Sequence, residues 1–170
     1  MTPLGLLPEP SRTMVFSPVD PQLDTNVLIQ LVRGVPEFVA YAQAHQPLGL
    51  GYNQVVAAEF LTLGKGMGAQ LQLLQKQYGL QLIQDGSLQE IDTAAARLQA
   101  AFAGDPFHRR LSKEDARVAA TAFLKQERQA TGDIQFFKRA KDLGLDVDFV
   151  GAGQAAVRAA AYKPRTVSVP

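Results

Sequence analysis

The chain has 170 residues, 46% of them hydrophobic and 19% charged, which excludes global disorder and gives one domain able to bury roughly two-thirds of its unfolded surface. With no cysteine, disulfides, thiolate catalysis and thiolate zinc sites are excluded, and two histidines, His45 and His108, are too few for a histidine-rich zinc site. A formal net charge of +1 does not announce a nucleic-acid binder, and no apolar run nears the roughly 20 residues that span a bilayer.

Prolines 3, 8, 10, 18 and 21 give residues 1–20 the character of an extended lead-in. That start carries no basic region and does not read as a secretory signal, so a cytoplasmic site of action is expected. From Leu23 a short buried strand should pass into a helix ending at Gly34. A second helix is predicted over residues 35–45, with Pro36 near its first turn, then a strand over 47–51. Asn53 is placed to cap the helix that carries Glu59. Residues 64–68, glycine-rich, lack the spacing of a phosphate-binding loop and read as a connection between helices.

Residues 69–78 form an amphipathic pattern with Leu71, Leu74 and Tyr78 on one face. A strand over 80–83 and an alanine-rich helix over 92–102 follow, with a turn at 104–106. The best-defined helix spans Ser112 to about Gln126 and opens on a capping-box pattern. Another runs from Asp133 to Leu143, stopped by Gly144, before a terminal strand over 145–150 and a last helix over 154–162. Strands alternating with helices predict an α/β fold with a mostly parallel sheet.

Four carboxylates stand at the edges of these elements: Asp24, Glu59, Asp115 and Asp133. Acidic side chains in apolar segments are rarely buried unless paired or bound to a metal. Brought together at the carboxyl ends of parallel strands, four would repel one another, and divalent ions would relieve that repulsion. Oxygen ligands suit Mg2+ or Mn2+, which polarise a phosphoryl oxygen and acidify water without any protein nucleophile. Each acid also has a plainer reading. Asp24 and Asp133 fit helix caps, Asp115 fits the third position of a capping box, and Glu59 fits a half-exposed helix face. Between Arg97 and Arg128, seven basic residues stand against four acidic ones. Arg110 and Arg117 are the candidates there for holding substrate phosphates, a solvated helix face being the alternative.

Leu23-Asp24-Thr25-Asn26, Ala58-Glu59-Phe60-Leu61, Glu114-Asp115-Ala116-Arg117 and Thr131-Gly132-Asp133 resemble, in order and spacing, the PIN-domain nucleases. The acids are 35, 56 and 18 residues apart, and the likeness covers about residues 22–150. It implies a PIN-like three-layer α/β/α fold over residues 21–152, followed by a C-terminal helix and tail over 153–170. It further implies Mg2+- or Mn2+-dependent cleavage of RNA, with Asp24, Glu59, Asp115 and Asp133 as metal-binding acids. Asn26 and Thr131 would steady a carboxylate or a water on the metal. Two features depart from the pattern. The stretch before the fourth acid, residues 125–130, is polar where an apolar strand is usual, so a short or frayed strand is expected. The chain also runs on to Pro170, past the usual end, in a tail that could wrap the domain, pair with another subunit or bind a partner.

Small proteins with this likeness are commonly toxins neutralised by a protein antitoxin, and a nuclease tip of a larger delivery protein is a variant. The alternative is an inactive RNA- or protein-binding module that keeps the fold. A nuclease for flapped DNA ranks last, since neither a strongly basic chain nor DNA-gripping helices are evident. An antitoxin or a second copy of the chain would dock on apolar helix faces. Leu71, Leu74 and Tyr78 are one candidate, with core packing the favoured use of that face.

Overall fold

The strands are only two or three residues long, so the sheet is specified mainly by where helices start and stop. The computed structural model describes residues 20–84 and 86–170. All but the last residue of the proline-rich lead-in therefore falls outside the described residues. Strand β1 (Gln22–Leu23) leads into α1 (Thr25–Val32) and α2 (Pro36–His45). A 3-10 turn over Gln46–Leu48 displaces the strand expected at 47–51, because Pro47 suits its opening and Gly49, at φ 93°, ends it. Strand β2 is instead Gly51–Asn53, followed by α3 (Gln54–Leu61) and α4 (Met67–Tyr78). After β3 (Gln81–Ile83), α5 (Leu88–Ala100) begins four residues before the expected start, since Ser87 and Glu90 form a full capping box. Then come α6 (Lys113–Lys125), β4 (Gln129–Thr131), α7 (Ile134–Asp142), β5 (Val147–Phe149) and α8 (Gly153–Ala161).

All strand pairs are parallel and the order is β3-β2-β1-β4-β5. Right-handed crossovers then set the helices after β1 and β2 on one face and those flanking β4 on the other. The result is the expected three-layer α/β/α architecture. Successive strands run outward from β1 in one direction and return through β4 in the other. The strand order therefore reverses between β1 and β4, which opens a crevice at their carboxyl ends.

One main core joins Leu23, Val27 and Leu28 to Tyr52, Phe60, Ile91, Leu98 and Phe136. Leu71, Leu74 and Tyr78 belong to it, each at most 7% exposed. That face packs inward and offers nothing to a partner. The polar strand β4 is short but not frayed, for all three residues are buried, Gln129 and Ala130 being paired on both sides and Thr131 with β5. Its composition is tolerated because the buried amide N–H groups find acceptors, although Gln129 Oε1 is left without a hydrogen-bond partner. Gln129 Nε2 donates to the Val118 carbonyl at 2.9 Å, and Asn53 Nδ2 reaches the same carbonyl at 3.3 Å and Gln22 Oε1 at 3.2 Å. Gln22 Nε2 in turn donates to Glu127 at 2.6 Å.

The C-terminal tail wraps the domain. Its anchor is Asp142, fully buried at the end of α7. Tyr162 Oη and the Arg165 amide donate to its Oδ1 at 2.7 and 3.0 Å. Arg109 and Arg139 face its Oδ2 at 3.2 and 3.4 Å. The Arg165 guanidinium lies 4.0 Å from the centre of the Phe107 ring, tying the tail to the loop before α6. Removing one partner of a buried pair leaves the other charge uncompensated. Asp142→Ala should therefore lower stability by about 3–5 kcal/mol in urea unfolding.

Candidate functional site

Asp24 is the first residue past β1 and the N-cap of α1, in extended backbone, its carboxylate accepting from Thr25 N at 2.7 Å. The capping reading is thus met by Asp24. Its other oxygen accepts from the Thr131 hydroxyl at 2.8 Å, across the β1–β4 boundary. Asn26 Nδ2 approaches Asp24 Oδ2 at 3.5 Å and Thr131 Oγ1 at 3.4 Å, while Asn26 Oδ1 accepts from Gly132 N at 2.8 Å. The two polar residues expected beside the acids therefore surround Asp24. Gly132 must stay small here, because an added Cβ would stand 3.0 Å from the Phe38 ring and 3.3 Å from Asn26 Oδ1.

Asp133 caps α7 by accepting from the Gln135 and Phe136 amides at 2.9 and 3.1 Å, and its own amide donates to Thr131 Oγ1 at 3.0 Å. Its side chain is exposed. Asp115 is half-buried in the first turn of α6, where Ser112 Oγ accepts from its amide at 3.0 Å. Glu59, exposed on α3, accepts a hydrogen bond from the Thr25 hydroxyl. Thr25 thus links two of the acids. The sequence reading missed it, although its place directly after Asp24 at the start of a helix was a usable signal.

Electrostatics place the acids in one field. Burial pushes the Asp24 carboxyl from 3.8 up to about 6, opposed by the bonds from Thr131 and Thr25 and reinforced by Asp115 and Glu59. Burial also raises Asp115, with Asp133 and Glu59 pushing the same way against the Ser112 bond. The charged groups acting most on Asp24, Asp115 and Glu59, are both anionic. The donors are all oxygen, the set that hard divalent ions take. Among the described residues, however, no three acidic or histidine side chains are gathered closely enough to hold an ion as they stand. Of the two basic candidates, Arg117 lies near Glu59 on the wall of a shared cleft, its Nε 2.9 Å from Asp92. Arg110 is exposed in the loop before α6, outside that cleft.

No family model matches the chain, and neither does any curated protein. Solved structures do. A VapBC2 complex from Rickettsia felis, bound to a DNA fragment from its promoter, matches with TM-score 0.61 and 14% identity over 76% of this chain and 98% of that one. A toxin–antitoxin complex from Klebsiella pneumoniae matches with TM-score 0.52 and 22% identity over 69% and 90%. FitAcB from Neisseria gonorrhoeae matches with TM-score 0.54 and 20% identity over 74% and 94%. At these identities the likeness establishes the fold.

The Asp24 shift has a sign that unfolding can read. An acid whose folded value lies above its unfolded value holds its proton longer when folded, so it favours the folded state at low pH. That contribution is fully present below about pH 3.8 and is lost as pH rises through about 6. With chelator present, the melting temperature of the wild type should fall across that window relative to Asp24→Asn. Parallel profiles for the two proteins would contradict the burial of an unpaired Asp24 charge.

Proposed function

We propose that this chain, which has the PIN-domain fold, is a metal-dependent endoribonuclease and the toxin of a toxin–antitoxin or delivered-toxin system. The observation that carries the reading is Asp24. It is buried where the strand order reverses, with Asp115 and Glu59 acting on it and no cation among the charges that shift it most. An anionic pocket of this kind stabilises a bound cation.

Asp24, Glu59, Asp115 and Asp133 would hold Mg2+ or Mn2+, with Glu59 exchanging its bond from Thr25 for the ion. When bound, the ion polarises a phosphoryl oxygen and acidifies the attacking water. The chain's own part is positional. Thr131 and the Thr25 amide fix both oxygens of Asp24, and Asn26 ties α1 to the turn that carries Asp133. The helix starts carrying Asp115 and Asp133 bring their positive dipole ends toward the site, which favours carboxylates there.

Support for the toxin reading comes from fold neighbours that are toxin–antitoxin or VapBC complexes. The partner that follows is a protein antitoxin, and a cytoplasmic place of action fits it. Among the described residues no helix is long and apolar enough to cross a membrane. The spread of the acids favours a second reading, a catalytically inactive RNA- or protein-binding module. Cleavage separates the two. Purified protein should cut bacterial RNA into discrete fragments with Mg2+ or Mn2+ and not with EDTA, and Asp24→Asn should be slower by about a hundredfold or more. Folded wild-type protein that leaves all RNA intact would favour the module.

A further inference from the structure

A cleft of about 340 Å³ adjoins the acids and shares Glu59 with them. Its walls are Val55 of α3 and Glu114, Arg117 and Val118 of α6, with Leu88 from the start of α5. That volume lies at the lower end of ligand pockets, the size of one nucleoside rather than of a folded segment. Apolar walls suit the faces of a base, and Leu88, 57% exposed, has no place in the core. Beyond Glu59, the charged residues Glu114 and Arg117 decide which base.

Glu114 and Arg117 are three residues apart on α6 and so share a face. Glu114 offers a two-oxygen acceptor, and Arg117 a fork of donors whose Nε stands 2.9 Å from Asp92 as an ion pair, without a hydrogen bond. Of the four bases, guanine alone combines two adjacent donors, its ring N1–H and exocyclic amine, with two adjacent acceptors, O6 and N7. A carboxylate matches the first pair and a guanidinium the second. Because Glu59 belongs to both the cleft and the acidic group, a base held here would be joined to a phosphate at the acids.

Resting on the nuclease reading, we propose that the α3–α6 cleft is a guanine-selecting subsite for a nucleotide of the RNA strand. Arg117 then reads a base rather than a phosphate. The test is a nuclear magnetic resonance titration of the full chain, in EDTA, with the 5′-monophosphates of guanosine, adenosine, cytidine and uridine. The guanosine nucleotide should saturate, shift the amides of Val55 and of residues 114–118, and bind about tenfold or more tighter than the others. Glu114→Gln should reduce the preference to under about threefold, and Val55→Trp, which fills the cleft, should abolish binding while circular dichroism stays unchanged. An RNA hexamer with one guanosine should bind tighter than the free nucleotide. Failure to saturate, equal binding of all four, or shifts elsewhere would overturn the subsite. A free nucleotide binding as tightly as the hexamer would overturn its assignment to an RNA strand. Cleavage is not read in this titration, so a protein that selects guanosine yet never cuts RNA would sink the nuclease reading and leave the subsite standing.

Discussion

A carboxylate buried at the carboxyl end of the central strand, with no cation among the charges that act most on it, is the constraint around which the rest is arranged. Burial of Asp24 costs stability at neutral pH, and that cost is tolerated because both oxygens are hydrogen-bonded, by Thr131 and by the Thr25 amide. The parallel sheet makes the arrangement available. Its order reverses between β1 and β4, so the residue after each strand meets the other across one crevice. Asp24 comes from one side, and Thr131, Gly132 and Asp133 from the other. Asn26 and the Gly132 amide close the gap between them.

Holding β1 against β4 is therefore the structural task, and it is done with polar side chains. Gln22, Asn53 and Gln129 lie buried beneath the crevice and converge with α6 at the Val118 carbonyl. This layer sets the position of α6 relative to the strands, and with it Asp115. On the far side, Asp142 gathers Arg109, Arg139, Tyr162 and the tail backbone. The tail thereby braces the loop that leads into α6. Two buried polar clusters, one under the sheet and one under the tail, hold the elements from which the acids project.

Much of this could be read from residues. Pro36, Asn53, Ser112, Gly34 and Gly144 mark helix ends by local chemistry, and the helices they bound form close to their expected places, whereas α5 starts four residues early. The order of the four acids suggested one site, and their mutual effects on Asp24 and Asp115 are consistent with it. Strands of two or three residues are too short to show alternation, so their limits were poorly legible. The strand placed at 47–51 shows this, since it lies two to four residues too early. The polar strand β4 could not be recognised as central, because what makes Gln129 acceptable is a carbonyl 11 residues away. Thr25 beside Glu59, the pairing of Arg117 with Asp92, and the cleft between α3 and α6 depend on long-range packing, to which local pattern is blind.

The central claim is that the four acids form one cation site. Calorimetric titration of the metal-free protein with Mn2+ at pH 7.5 tests it most directly. The account predicts binding at micromolar concentrations or tighter, lost in Asp115→Ala while the fold persists. Absence of binding by the folded wild type, or equal affinity in wild type and variant, would contradict it.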